Sequence, residues 1–431
     1  MKGGIRVGTV FGIPLFLDRW WLFILVLFSW DFARGYIALS PNFYLLFGLI
    51  SALLLFGSIL CHELAHSWVA IRHGVAVESI ALHPLRAITN MTQEGSTPRA
   101  VLAIAIAGPI SNFCLCGLLI LAAWAIAGGQ IFSVSRGESL VNLATGIGAA
   151  RSLLAYMAWE LAQVNLGLGL LNSLPGLPLD GGHVLKAIIW RLSGDRFTGI
   201  RGAAWSGQVL GWLTLFGGGF LLSRGGSAGL ILLLVGLFLL SSAGGSLQVA
   251  NIQQALLSLT AEAVMTREFR LLDTTMSLRQ FADEYLLLAN AEQHQVFYGV
   301  ANGRDRGLIR PERLKEIDRS QWISETVQVL VQPIGELTSV ELRDDLAKVI
   351  DLLETQELRH ITVLSQVGAV AGLIDRGDII RALARKLQWR VPDPFIQQVK
   401  HDGRFPPNFP LWELSRSLLA DKTRACAKLE R

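Results

Sequence analysis

The chain has 431 residues, 52% of them hydrophobic, and 38 Lys/Arg against 34 Asp/Glu leave a formal net charge of +4. That length allows two or three domains, and the charge is too small to suggest a nucleic-acid-binding protein. Four cysteines (Cys61, Cys114, Cys116 and Cys426) give no disulfide framework, and Cys114-x-Cys116 lacks the second Cys or His pair of a structural zinc site. Three of them lie in apolar stretches, where cysteine is expected as a small packing residue.

Charge is unevenly spread. Residues 1–255 hold 14 Lys/Arg and 9 Asp/Glu, about 9% of that segment, whereas residues 256–431 hold 24 and 25, about 28%. The first part reads as membrane-embedded and the second as soluble. Neither net charge, +5 or −1, calls for nucleic acid.

At the N-terminus no cleavable signal peptide is evident, because Gly and Pro punctuate the residues before the first apolar run. Six stretches then approach the roughly 20 residues a spanning helix needs: near 20–39, 43–71, 99–128, 146–174, 204–223 and 227–248. Asp31 and Arg34 interrupt the first. Between the second and third, residues 75–93 alternate weakly and predict a β-hairpin. After the fourth, residues 172–185 are rich in Pro and Gly, and irregular backbone at membrane depth marks a site. Lys and Arg, Lys186 included, concentrate in the segments that face the cytoplasm if both termini do.

From about residue 260, short strands alternate with amphipathic helices. One unit runs from Val264 through a helix near 277–289 to Gly307-Leu308-Ile309. The other runs from Ile334 through a helix near 343–356 and two strands to a helix from Asp378. The expected fold is a polytopic α-helical membrane protein with about six transmembrane helices and short membrane-associated β segments, over residues 1–255. A soluble α+β domain, a β-α-β-β-α repeat, follows over 256–431.

The chemistry sits in the second span. His62 and His66 are four residues apart, so on a helix both can reach one ion. Glu63 lies beside them and can take a proton from a water activated by that ion. Two histidines and a glutamate are hard to explain as packing on one apolar helix. A catalytic zinc usually has three protein ligands, and Asp180 is the best third. It follows Pro175 and Pro178, which break the helix, and precedes Gly181-Gly182, expected to let backbone approach the metal. Asp180 alone would read as the cap of a following helix. His183 is expected at that helix start, His73 and His83 in solvent, and Glu160, Gln163 and Asn165 facing the bundle interior.

Taken together, His62–His66, Ala107-Gly108-Pro109-Ile110-Ser111-Asn112 and Asn172-Ser-Leu-Pro-Gly-Leu-Pro-Leu-Asp180-Gly-Gly-His183 resemble the site-2 protease family of intramembrane zinc metalloproteases. The resemblance covers roughly residues 5–250. It implies one zinc ion on His62, His66 and Asp180, Glu63 as general acid/base, and Asn172 assisting at the polarised carbonyl. Asn112 falls in a family motif, either as a packing hydrogen bond or closer to the chemistry. The implied activity is hydrolysis of peptide bonds in or near transmembrane segments of membrane-protein substrates within the lipid bilayer, that is, regulated intramembrane proteolysis. A helix hides its carbonyls, so the substrate must unwind, and a strand edge at 75–93 could hold it. This chain has Arg86-Ala87 where the family often has Gly-Gly.

The C-terminal repeat resembles a tandem pair of CBS domains, modules that often bind adenine nucleotides. By that resemblance Asp378 is a nucleotide ribose contact and the pair a site of homodimerisation. Asp375 stands where a Ser or Thr is usual, and Arg310 and Arg313 occupy the first unit's corresponding positions. A structural or dimerising module is the other expectation. A CBS-regulated membrane metal transporter is the alternative function. It has no need of a glutamate next to the first ligand, so Glu63 favours the hydrolase.

Overall fold

The computed structural model describes residues 5–37, 42–82, 87–91, 95, 97–128, 148–226, 228–286, 296–406, 409 and 411–429. The chain divides into two units, Met1–Ala250 and Asn251–Arg431.

The first unit opens with a hairpin, β1 (Ile5–Val10) and β2 (Ile13–Leu17), followed by α1 (Trp21–Tyr36) and α2 (Tyr44–Arg72). A second hairpin, β3 (Val77–Leu82) and β4 (Ala87–Met91), leads into α3 (Pro98–Ile126) and α4 (Ala149–Asn172). Then come α5 (Asp180–Ser193), α6 (Arg196–Ser223) and α7 (Ala228–Ser258). Each of the six expected apolar stretches forms helix over most of its length. Among the described residues three helices, α2, α3 and α7, are long and apolar enough to cross a membrane by length and composition. The first stretch gives a helix of only 16 residues, and its interrupting Asp31 and Arg34 form an ion pair one turn apart.

The two hairpins form one sheet in the order β1-β2-β3-β4, with β2 and β3 parallel and the hairpin pairs antiparallel. The 75–93 hairpin was expected; the N-terminal one was not. Ile13 and Ile80 pack with Leu60 and Leu64, so the sheet lies against the turns of α2 that flank His62. Among the described residues β4 is an edge strand of the sheet.

Polar groups tie the bundle together inside. Tyr36 donates to Glu160 Oε2 at 2.6 Å and lies 2.6 Å from Ser51 Oγ, linking α1, α2 and α4. The buried Asn165 donates to Ser58 Oγ at 3.1 Å. Gln163 departs from the expectation, because it is exposed: its helical position turns it away from Glu160 and Asn165. Cys61 and Cys114 are exposed too, and only Cys116 is a buried packing residue among the described cysteines. Lys186, counted above as a loop charge, is instead fully buried on α5. Glycines at heptad spacing pack α6 onto α7. A Cβ on Gly218 would lie 2.8 Å from Gly229 O, and one on Gly211 would lie 2.8 Å from Leu240 Cγ.

In the second unit α8 (Ala261–Val264) precedes the first repeat, which contains β5 (Phe269–Asp273), α9 (Leu278–Phe281), β6 (Val296–Ala301), β7 (Arg304–Ile309) and β8 (Val331–Pro333). The sheet order is β5-β6-β7-β8, with β5 and β6 parallel. The expected helix near 277–289 is α9 continued by a π-helical turn to Leu286, and residues 287–289 lie outside the described residues. A 3₁₀ turn at Pro311–Glu316 replaces the repeat's closing helix. The second repeat follows the expected order: β9 (Ser339–Glu341), α10 (Leu346–Thr355), β10 (His360–Leu364), β11 (Val370–Asp375) and α11 (Arg376–Leu387). Two further helices, α12 (Asp393–Asp402) and α13 (Leu411–Leu429), close the chain. Leu411 and Leu418 join the second repeat's core with Leu346, Ile350 and Ile374. Tyr298 and Thr362, hydroxyl to hydroxyl at 2.7 Å, bridge the two repeats.

Candidate metal centre

The i, i+4 spacing on α2 places both imidazoles on one face, their rings edge to face at 4.7 Å between centroids. His62, Glu63 and His66 are all buried, ten to six residues from the end of α2, so they lie about 9–15 Å in from that end.

The third group arrives from far along the chain. After α4 ends at Asn172, residues 173–179 form successive turns, and Leu177 N donates to Ala203 O at 3.1 Å, pinning the loop to α6. Leu177 packs there against Ile200, Ala203 and Ala204. Helix α5 restarts at Asp180 and sets its carboxylate against the histidines. Asp180 Oδ2 lies 3.1 Å from His62 Nε2 and 3.4 Å from His66 Nε2. The two Nε2 atoms are themselves 3.1 Å apart.

Gly181 and Gly182 have a different task from the one expected. A Cβ on Gly181 would stand 2.3 Å from Leu174 O, and one on Gly182 would stand 2.3 Å from Leu177 N. They let α5 start hard against the preceding loop, which is what aims Asp180.

Three nitrogen and oxygen atoms, His62 Nε2, His66 Nε2 and Asp180 Oδ2, thus converge in a buried place. Ligand atoms about 2.0–2.2 Å from one tetrahedral ion stand about 3.3–3.6 Å apart. The observed separations of 3.1, 3.1 and 3.4 Å come within a few tenths of an ångström of that. Among the described residues this is the one cluster of His, Cys, Asp and Glu able to hold a metal. The donor set fits zinc.

The motif on α3 was seen in the sequence, but not that this helix backs the histidines. His66 Nδ1 lies 2.7 Å from Ile104 O, and Asn112 Nδ2 lies 3.1 Å from His62 Nδ1. Gly108, midway between them on α3, leaves the space the imidazoles fill. The Gly108-xxx-Asn112 spacing was the available signal, but nothing in it says which helix it faces. Asn172 is half-buried at the last turn of α4, and its side chain bonds to none of His62, His66 or Asp180. His183 falls in the first turn of α5 and His73 is exposed, both as expected; His83 lies outside the described residues.

The other predicted site residue, Asp378, is buried near the start of α11. Its carboxylate accepts from Asp375 N (3.2 Å), Thr266 Oγ1 (3.3 Å), Arg381 (3.2 Å) and Lys400 Nζ (2.9 Å). Lys400, carried by α12, also reaches Glu268 at 2.9 Å and Asp375 at 3.3 Å. Burial works against its charge, but Glu268, Asp378 and Asp375 outweigh that and raise its pKa above the ordinary lysine value.

Paired imidazoles, an adjacent glutamate and a remote carboxylate among apolar helices define the class of a metal-dependent hydrolase working in a membrane. The family model described as Peptidase family M50 matches residues 50–209. A Synechocystis protein carrying a zinc metalloprotease name, sll0528, is 33% identical over 388 residues, covering 89% of this chain and 96% of that protein. The chain belongs to peptidase family M50, the site-2 proteases, and is a zinc-dependent intramembrane metalloprotease. Among solved structures, the site-2 protease from Methanocaldococcus jannaschii is 28% identical, covering 57% of this chain and 95% of that one at a TM-score of 0.37. The CBS domain of a bacterial CNNM/CorC family Mg2+ transporter is 14% identical, covering 37% of this chain and 96% of that one at a TM-score of 0.27.

Proposed function

We propose that the chain cuts peptide bonds in or beside transmembrane segments of membrane-protein substrates at one zinc ion held by His62, His66 and Asp180. The carrying observation is the set of three mutual separations, 3.1, 3.1 and 3.4 Å, among buried lone-pair atoms. When bound, zinc polarises the scissile carbonyl and lowers the pKa of water. Glu63, next to the first ligand and buried, accepts the water's proton and returns it to the leaving amine. Asn172 donates to the carbonyl oxygen as charge builds on it. The edge strand β4 holds an unwound substrate segment by strand addition.

In this account α1, α4 and α6 complete six spans with α2, α3 and α7, and both termini face the cytoplasm. The second unit is a CBS pair. The four donors already on Asp378 support a structural or dimerising role over ribose binding, because a nucleotide would have to displace Lys400 or Arg381.

The test is Glu63→Gln in purified protein reconstituted with a membrane-protein substrate. Cleavage should fall about 10²–10⁴-fold, the usual range for a lost general acid/base, with zinc content unchanged. Undiminished cleavage would refute the role.

A further inference from the structure

Three successive turns of α3 hold the two imidazoles, each by a different means. Ile104 presents its carbonyl to His66 Nδ1 at 2.7 Å. Gly108 gives room: a Cβ there would lie 2.2 Å from His66 Nε2 and 2.6 Å from His62 Nε2. Asn112, 1% exposed, brings its amide to 3.1 Å from His62 Nδ1, while its own Oδ1 is buried without a partner.

The two histidines are therefore held unequally. A carbonyl only accepts, so His66 must carry its proton on Nδ1, which leaves the Nε2 lone pair facing Asp180. An amide both donates and accepts. With Nδ2 toward the ring, Asn112 donates to His62 Nδ1 and puts the proton on Nε2, where Asp180 Oδ2 lies 3.1 Å away. A ligand imidazole needs the opposite tautomer, with Nδ1–H donating to an acceptor. The two ends of an amide have the same shape, so a half-turn about the Cβ–Cγ bond of Asn112 supplies that acceptor without moving α3.

We propose that Asn112 is a positioning residue for the metal centre: with its Oδ1 toward the ring, the amide fixes His62 in the ligand tautomer. This rests on the assignment of His62, His66 and Asp180 as ligands. The experiment measures zinc affinity by chelator competition on purified full-length protein, independently of proteolysis. The variants are Asn112→Asp, which can accept but not donate, and Asn112→Leu and Asn112→Ala, which can do neither. Leu and Ala should each weaken zinc binding about 10–100-fold, and Asp should stay within a few-fold of wild type. The Ala variant demands no new space, so it reports even if Leu disturbs the packing of α3. Equal affinity in all four proteins overturns the proposal, and so does equal loss in Asp and Ala, which would make the amide a donor or a spacer. Asp180→Asn serves as the control: if it keeps its zinc, the ligand assignment itself has failed, and the tautomer role falls with it.

Discussion

At residue 108 a single methyl group would occupy the space that the His62 and His66 imidazoles fill. Gly108→Ala puts a Cβ 2.2 Å from Nε2 of the buried His66 and 2.6 Å from Nε2 of the buried His62. We expect it to lose zinc at least as severely as a missing outer support, about 10–100-fold, while the protein still reaches the membrane. Metal analysis of the purified variant checks this, and full zinc occupancy would contradict it. The cluster of His62, His66 and Asp180 was legible: His62 and His66, with Glu63 beside them, from a helical spacing in an apolar span, and Asp180 from the Pro and Gly residues around it. Gly108 and Asn112 were visible as part of a motif, but that they and Ile104 face the two imidazoles depends on how α3 is turned against α2 and was not legible. Gly181 and Gly182 were seen but misread, since only coordinates show that the backbone they approach is Leu174 and Leu177 rather than the metal centre.

At the scale of elements, the restart of α5 aims Asp180, so the loop before it should be as sensitive as the ligand. Gly181→Ala forces a Cβ to 2.3 Å from Leu174 O, which must shift the start of α5. We expect a loss of about 1–3 kcal/mol in stability. Zinc affinity should fall with it, because Asp180 is the first residue of that helix. Denaturation in detergent and chelator competition would show both, and an unchanged zinc affinity would mean that another element sets the carboxylate.

β10 offers a pH effect. Burial, then the Arg310 guanidinium, hold His360 below the ordinary histidine pKa, against Asp375 and Glu312. The folded state thus prefers the neutral ring. The stability this gives is present above about pH 6.5 and is lost as pH falls below it. Melting of the second unit in the full-length protein should drop between about pH 7.5 and 5.5, and drop less in His360→Gln. Identical profiles would contradict it. The repeat containing β10 was legible in β-branched runs and one amphipathic helix. The hairpin β1–β2 escaped notice because Gly8, Gly12 and Pro14 broke its alternation. Helices α12 and α13 were passed over because they lie beyond the repeat pattern.

The whole molecule comprises an apolar unit that contains the proposed metal centre and a charged unit with its own two repeats. Charge density changes from about 9% to about 28% across residue 255, and the chain divides into two units at 250/251. Sequence could not show that Asp378 is already engaged, since Lys400 comes from a helix outside the repeat. We expect no binding of AMP or ATP at millimolar concentration by calorimetry on the intact protein. Saturable binding abolished by Asp378→Ala would reverse that. The proposed orientation predicts that tags on both termini are digested only in inside-out vesicles.

One quantity bears most directly on the whole account: the zinc content of the purified wild-type protein and of Asp180→Asn. One zinc per chain in the wild type and a large loss in the variant is the result we predict. Full zinc retention in Asp180→Asn would contradict a centre shared by α2 and α5.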